Sequence, residues 1–160
     1  MARLTGSAEI TALISSLAST PARLAETTAS ASDEQLDRAA PGEWSTRTVL
    51  AHLRDDEFMV MRLRLERMLV EEAPSLAPFD EKGWSDSRFR GRDGLDELLA
   101  DFRVQRAASL GILQMMTDEQ WRRTGFQPEY GEFDIHWWVQ HCLEHDNDHV
   151  AQIRNTLAIA

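Results

Sequence analysis

The chain has 160 residues, 42% hydrophobic and 28% charged, the balance of a folded globular protein with length enough for one domain and its own core. Its formal net charge of -10 argues against a nucleic-acid partner, which is met with clustered Lys and Arg, and against an anionic membrane surface. Cys142 stands alone, so no internal disulfide can form and a reducing cytoplasm is expected. The amino-terminal MARLTGSAEI lacks a signal-peptide apolar region, and no apolar run reaches the ~18 residues of a membrane span.

In chain order, Ile10, Leu13, Ile14, Leu17 and Leu24 recur at three-to-four spacing and predict a first helix from about Ser7 to Thr28. A polar stretch with a turn at Pro41-Gly42 follows, and Ser45 is placed to cap a second helix that runs to about Glu72 without Pro or Gly. Pro74, Pro78, Gly83 and Gly91 mark residues 73–92 as a long loop, of a length that often borders a functional site. Asp93 is the predicted cap of a third helix reaching about Met116. Thr117 and Gln120 have capping-box spacing and predict a short helical turn around Trp121. Gly125, Pro128 and Gly131 read as a turn-rich stretch, and a last helix runs from about Asp134 to Ala158. Strand signals are nearly absent, no repeat is visible, and the expectation is one all-α domain over 1–160, an antiparallel four-helix bundle.

Polar residues interrupt the apolar stripes at two places. On the second helix the inward seam is read as Val49, His52, Asp56, Met59 and Leu63, so a histidine and an aspartate occupy consecutive core positions. Burying ionisable groups costs several kcal/mol unless they are paired or metal-bound, so two in succession point to a cavity or ligand. On the last helix His141, His145 and His149 are spaced by four and stack along one face beside Ile135, Val139, Cys142 and Ile153. His136 lies roughly 180° from His145 and is excluded.

Two histidines at i and i+4 can share one metal ion, and His52 is the interior histidine available from another helix as a third ligand. Three histidines leave coordination positions open for water or substrate. The plainer alternative is that these imidazoles hydrogen-bond within a polar core or line an exposed helix edge. Cys142 reads as core packing rather than a nucleophile. Trp44 and Trp121 are placed to cover bundle ends, and Trp138, within ~20° of His145, to line a pocket. Glu144, Asp146 and Asp148 read as a solvated face, with Asp148 able to touch an imidazole. Arg62, Arg64 and Arg67 read as surface partners of Glu66 or Glu71.

The run from Trp44-Ser45 to Leu50-Ala51-His52-Leu53-Arg54-Asp55-Asp56-Glu57 resembles the second-helix signature of the DinB/YfiT-like metalloenzymes. His141 to Ile153, with paired histidines followed by Gln-Ile, resembles the last helix of that family, and Trp84 in the mid-chain loop is a further echo. The resemblance implies a four-helix bundle, often dimeric, with a divalent metal such as zinc or nickel on His52, His145 and His149. It places His141 in the pocket or beside the ligands, and lets Asp56 orient a histidine or bound water, or serve as a base near the metal. It implies a thiol-dependent transferase or isomerase acting with a low-molecular-weight thiol on a small-molecule substrate, with residues 73–92 and Trp84 shaping access. The alternative is a non-catalytic, stress-related protein binding metal or a small ligand.

Overall fold

The computed structural model describes residues 8–159; Ser7 and the start of the segment read for a signal sequence lie outside them. Four long helices form the bundle: α1 (Ala8–Thr28), a second built from α3 (Thr46–Asp56), a π-helical turn (Glu57–Arg62) and α4 (Leu63–Val70), then α6 (Leu95–Met115) and α8 (Ile135–Leu157). The short helices are α2 (Asp33–Asp37), α5 (Glu81–Ser87) and α7 (Asp118–Trp121), with a 3-10 turn at Arg90–Arg92. Among the described residues no helix is long and apolar enough to cross a membrane.

α1 packs on α6 and α8, and α3 packs on the same two, so the first and second long helices lie on opposite corners. Residue pairing gives the directions. Glu9 meets His136 and Thr20 meets Asp146, so α1 and α8 run parallel. His52 meets His145 while Trp138 Nε1 donates to the Met61 carbonyl, so α3 and α8 are antiparallel. Arg54 reaches the Arg92 carbonyl just before α6, and Arg106 reaches Glu57 further along both helices, so the second long helix and α6 run parallel. The bundle is thus two antiparallel pairs, α1 with α6 and α3 with α8.

Parallel neighbours need a connection that returns along the bundle, and residues 71–94 supply it. This excursion carries more structure than the loop expected of it. Asp80 caps α5 by accepting from the Gly83 amide, and Phe126 ties the start of the excursion down, its carbonyl accepting from the Leu76 amide and its own amide donating to the Pro74 carbonyl. Asp93 does not cap the third long helix; Gly94 holds that position, and Asp93 is buried on Arg88. The predicted turn-rich stretch is a β-hairpin, β1 (Thr124–Gln127) against β2 (Gly131–Asp134), turning through Gly131 at φ 77°. The polar stretch after α1 holds α2, whose Ser32 and Gln35 form a capping box.

The second long helix corrects its predicted seam. Leu63 is exposed and Met59 only half-buried; Met61, Leu65 and Met68 point inward instead. A π turn takes up about one extra residue, so an inward face counted at 3.6 per turn falls out of phase beyond Asp56.

The interior divides into two apolar clusters with a charged layer between them. One gathers Leu13, Leu17, Met61, Leu65, Leu113 and Trp121; the other Leu24, Val49, Leu53, Leu98, Phe102 and Val150. In the layer between, buried Arg106 donates to both Glu57 oxygens, both Asp146 oxygens and the Leu17 carbonyl, while Thr20 donates to Asp146. Asp146 is therefore not part of a solvated face. A guanidinium fork answered by two carboxylates and a carbonyl meets the condition under which a buried charge is tolerated.

Candidate metal centre

Ser45 caps α3 by accepting from the Thr48 amide, which fixes the helix start and places His52 two turns inside it. His52 is buried, with the Trp44 ring 5.1 Å from its own. Across the antiparallel contact, α8 presents His145 and His149 one turn apart. The His145 Nε2 lies 3.1 Å from the Nε2 of His52 and 3.1 Å from that of His149. Three imidazoles thus aim the same nitrogen at one small region.

Imidazole nitrogens sharing one tetrahedral ion at ~2.0–2.1 Å stand roughly 3.3 Å apart, close to the observed spacing. The hydrogen bonds between these nitrogens cannot explain that spacing fully, because each needs one ring to donate and the other to accept. Gln152 Oε1 lies 2.8 Å from His149 Nδ1, so it accepts that N–H and leaves Nε2 with a free lone pair. Burial, and then the neighbouring imidazoles, push His52 down to about 2 and His145 down to about 4. Both rings are neutral at pH 7, the form that ligates a metal. The donor set fits a divalent ion.

Asp56 joins this centre one turn beyond His52. Its Oδ2 is 3.6 Å from His52 Nε2 and 3.7 Å from His145 Nε2, while its Oδ1 is buried without a hydrogen-bond partner. Burial, then the charge of Glu81, pushes its carboxyl up to about 8. Glu81, the first residue of α5, brings a carboxylate into the group formed by His52, Asp56 and His145, their ligand atoms all within 4.8 Å of one another. Sequence reasoning passed over Glu81. The residue lay within the segment singled out for Trp84, but the excursion's path back over α3 is set by tertiary packing.

A cavity of about 660 Å³, counted to its open mouth, adjoins the centre. Asp56, Arg64, Tyr130, Trp138, His141 and His145 are among the residues around it. His141 is sandwiched by aromatics, its ring 5.0 Å from Trp137 at 7° and 5.0 Å from Tyr130. Trp138 is buried, its indole N–H held by the Met61 carbonyl. Cys142 also borders the cavity, but burial holds its thiol well above its ordinary range, so it is a protonated wall group.

Other expected residues sit elsewhere. Trp84 does not line the cavity; it donates its N–H to Asp55 Oδ2 at 2.9 Å and so fastens α5 to α3. Asp148 is exposed beside a separate shallow hollow with Trp44 and Gln152, and touches no imidazole among the described contacts. His136 is half-buried against Glu9 and Trp121, away from the centre. Arg67 pairs with Glu71 as expected of a surface residue, but Arg64 is buried and lies over the Trp138 ring, 5.0 Å from its centroid.

Comparison with known proteins places this arrangement among relatives. The YfiT protein of Bacillus subtilis, described as a candidate metal-dependent hydrolase, is 31% identical over 144 residues, covering 83% of this chain and 75% of that protein. A relative from Oceanobacillus iheyensis with the same description is 27% identical over 146 residues, covering 85% of this chain and 78% of its own length. The solved structure of B. subtilis YfiT, described as an unusual four-helix bundle, superposes with a TM-score of 0.83 at 27% identity, spanning 98% of this chain and 90% of that one. The family model of the DinB superfamily matches residues 16–153, nearly the whole bundle, and the chain belongs to that superfamily as a YfiT-like member.

Proposed function

We propose that this chain is a divalent-metal-dependent enzyme that turns a small nucleophile, water or a low-molecular-weight thiol, on a small-molecule substrate. The observation that carries this reading is the convergence of three Nε2 atoms beside a cavity that His145 and Asp56 also border. His52, His145 and His149 would hold the ion, a divalent metal suited to imidazole, with zinc or nickel the choice that the family resemblance implies. When bound, such an ion supplies Lewis acidity and lowers the pKa of a water or thiol that reaches it.

The chain's own groups perform the rest. Gln152 fixes the His149 tautomer through Nδ1. Asp56 would be favoured as the carboxylate by a cation on the three imidazoles, and its Oδ2, beside two ligand nitrogens, would then accept the proton that the nucleophile gives up, while Oδ1, with no competing partner, is free to turn toward the substrate. Water as nucleophile gives the hydrolysis named for the relatives. An external thiol gives transfer or isomerisation; that thiol must come from solution, because Cys142 is buried and protonated. A single cytoplasmic domain acting as a homodimer completes the reading, supported by the family resemblance and the lone cysteine.

The test is elemental analysis of the protein and of His149→Ala after loading with zinc or nickel and desalting. About one ion per chain, lost in the variant, is expected, and Gln152→Ala should weaken metal affinity by roughly 10–100-fold. Metal retention by His149→Ala would overturn the ligand set. Metal binding with no turnover of esters, amides or thiol–electrophile pairs would favour the non-catalytic reading.

A further inference from the structure

Arg54, Arg64, Arg88 and Arg106 are the arginines buried among the described residues. Three have carboxylate partners: Arg54 has Asp55 at 2.8 Å, Arg88 has Asp93 at 2.9 Å, and Arg106 has Glu57 at 2.8 Å and Asp146 at 2.6 Å. Arg64 has none within ion-pair distance, although it is only 8% exposed. Its Nη2 donates to the Ala77 carbonyl at 2.8 Å, and its Nε and Nη1 make no hydrogen bond among the described residues. A guanidinium largely withdrawn from water is unfavourable without an anion, and a chain that answers its other three has left this one facing the cavity.

The open arginine borders the cavity that Asp56 and His145 also border, and its Cζ lies 5.0 Å from the centre of the Trp138 ring. The ring contact and the Ala77 carbonyl hold the guanidinium while Nε and Nη1 remain as donors for an anion. Burial lowers its proton affinity, and Tyr130, Cys142, Asp56 and Glu129, which act the other way, do not offset it. A ligand anion would reverse that penalty.

We propose that Arg64 is the anchor for a carboxylate carried by the substrate, so that this enzyme acts on small organic acids bound between the guanidinium and the metal centre. The inference rests on the metal-dependent reading above and adds a substrate class to it. The acid end is held in plane by Arg64, while the reacting end lies toward His145 and Asp56. Trp138, Tyr130 and His141 offer flat walls for the stem between them. Neutral molecules of the same shape leave Arg64 unanswered and are rejected, as sites built around a buried polar group reject analogues that lack its partner.

The probes are the monohydroxamates of succinate and glutarate, in which the hydroxamate takes the metal and a carboxylate forms the tail, and the same molecules with that carboxylate as a primary amide. Each is titrated calorimetrically into nickel-loaded wild-type protein and into Arg64→Gln, whose nickel content and circular dichroism are checked first. The acid tail of at least one length is expected to bind ten-fold or more tightly than its amide in the wild type. In Arg64→Gln that preference should disappear while the amide-tailed affinity is unchanged. Equal affinity for acid and amide tails in nickel-loaded wild-type protein overturns the anchor even if Arg64→Gln fails to fold, and leaves the metal centre standing. A wild-type chain that takes up neither nickel nor zinc refutes the metal-centre reading and, with it, two-point binding.

Discussion

Asp56 is the residue where stability and function pull apart. Its carboxyl is buried, one oxygen is unsatisfied, and burial raises it to about 8 from the usual carboxylate range. A folded-state value above the unfolded one means that the folded chain prefers the protonated form. The contribution of Asp56 to stability is therefore intact below about pH 4 and is lost as pH rises through about 8. Asp56→Asn mimics the protonated form at every pH. In metal-free protein it should match the wild type at pH 4 and become the more stable of the two as pH rises toward 8, as read by urea unfolding. A difference that is constant across that range would refute the burial argument. His52 and Asp56 were legible because two ionisable residues in consecutive core positions are costly without a partner or ligand. Asp146 was not, because its burial depends on Arg106, 40 residues away on α6. Within its own helix nothing separates it from exposed Asp148.

At the scale of the element, the π turn decides which side chains reach the cavity. Met61, Leu65 and Met68 remain in the core because one extra residue is absorbed within Glu57–Arg62, next to Asp56. Deleting half-buried Phe58 should let this turn close as ordinary α-helix with the same residues still facing inward. Circular dichroism should then show undiminished helix, and nickel uptake should persist, because His52, His145 and His149 lie outside the turn. Binding of the hydroxamate probes should weaken, since Val60 and Arg64 move relative to Asp56 along the cavity wall. Loss of nickel on this deletion would show that the turn supports the ligands themselves. No sequence count at 3.6 residues per turn could expose this turn, since the wider turn is held by tertiary packing rather than by a local signal. The long helices were legible by contrast, as was the Thr117–Gln120 capping box, because periodicity and caps are local. The hairpin of two four-residue strands was too short for an alternating pattern, and Ser32–Gln35 carried a capping signal that went unread.

In the whole molecule, the metal centre and the core are separate structures. The ligands bridge α3 and α8, whereas the two apolar clusters and the Arg106 layer join α1, the second long helix, α6 and α8 through other side chains. Removing a bound ion should therefore cost the linkage term alone, about 4 kcal/mol at a free metal concentration near 1,000 times Kd. For a chain of this length each kcal/mol is worth roughly 2–4 °C in Tm, so nickel-loaded protein should melt on the order of 10 °C above chelated protein. Both forms should show the same helical signal at 25 °C and unfold in one transition, because the apolar clusters stand above and below an intact charged layer. The measurement is a pair of thermal melts followed by circular dichroism, with and without a chelator in excess of the metal. Loss of helix on chelation at 25 °C would instead make the ion a structural requirement, as in domains whose metal-binding energy is their folding energy. Retained helix with a lowered Tm fits a centre added to a bundle that is already stable, where coordination positions can be left to the substrate.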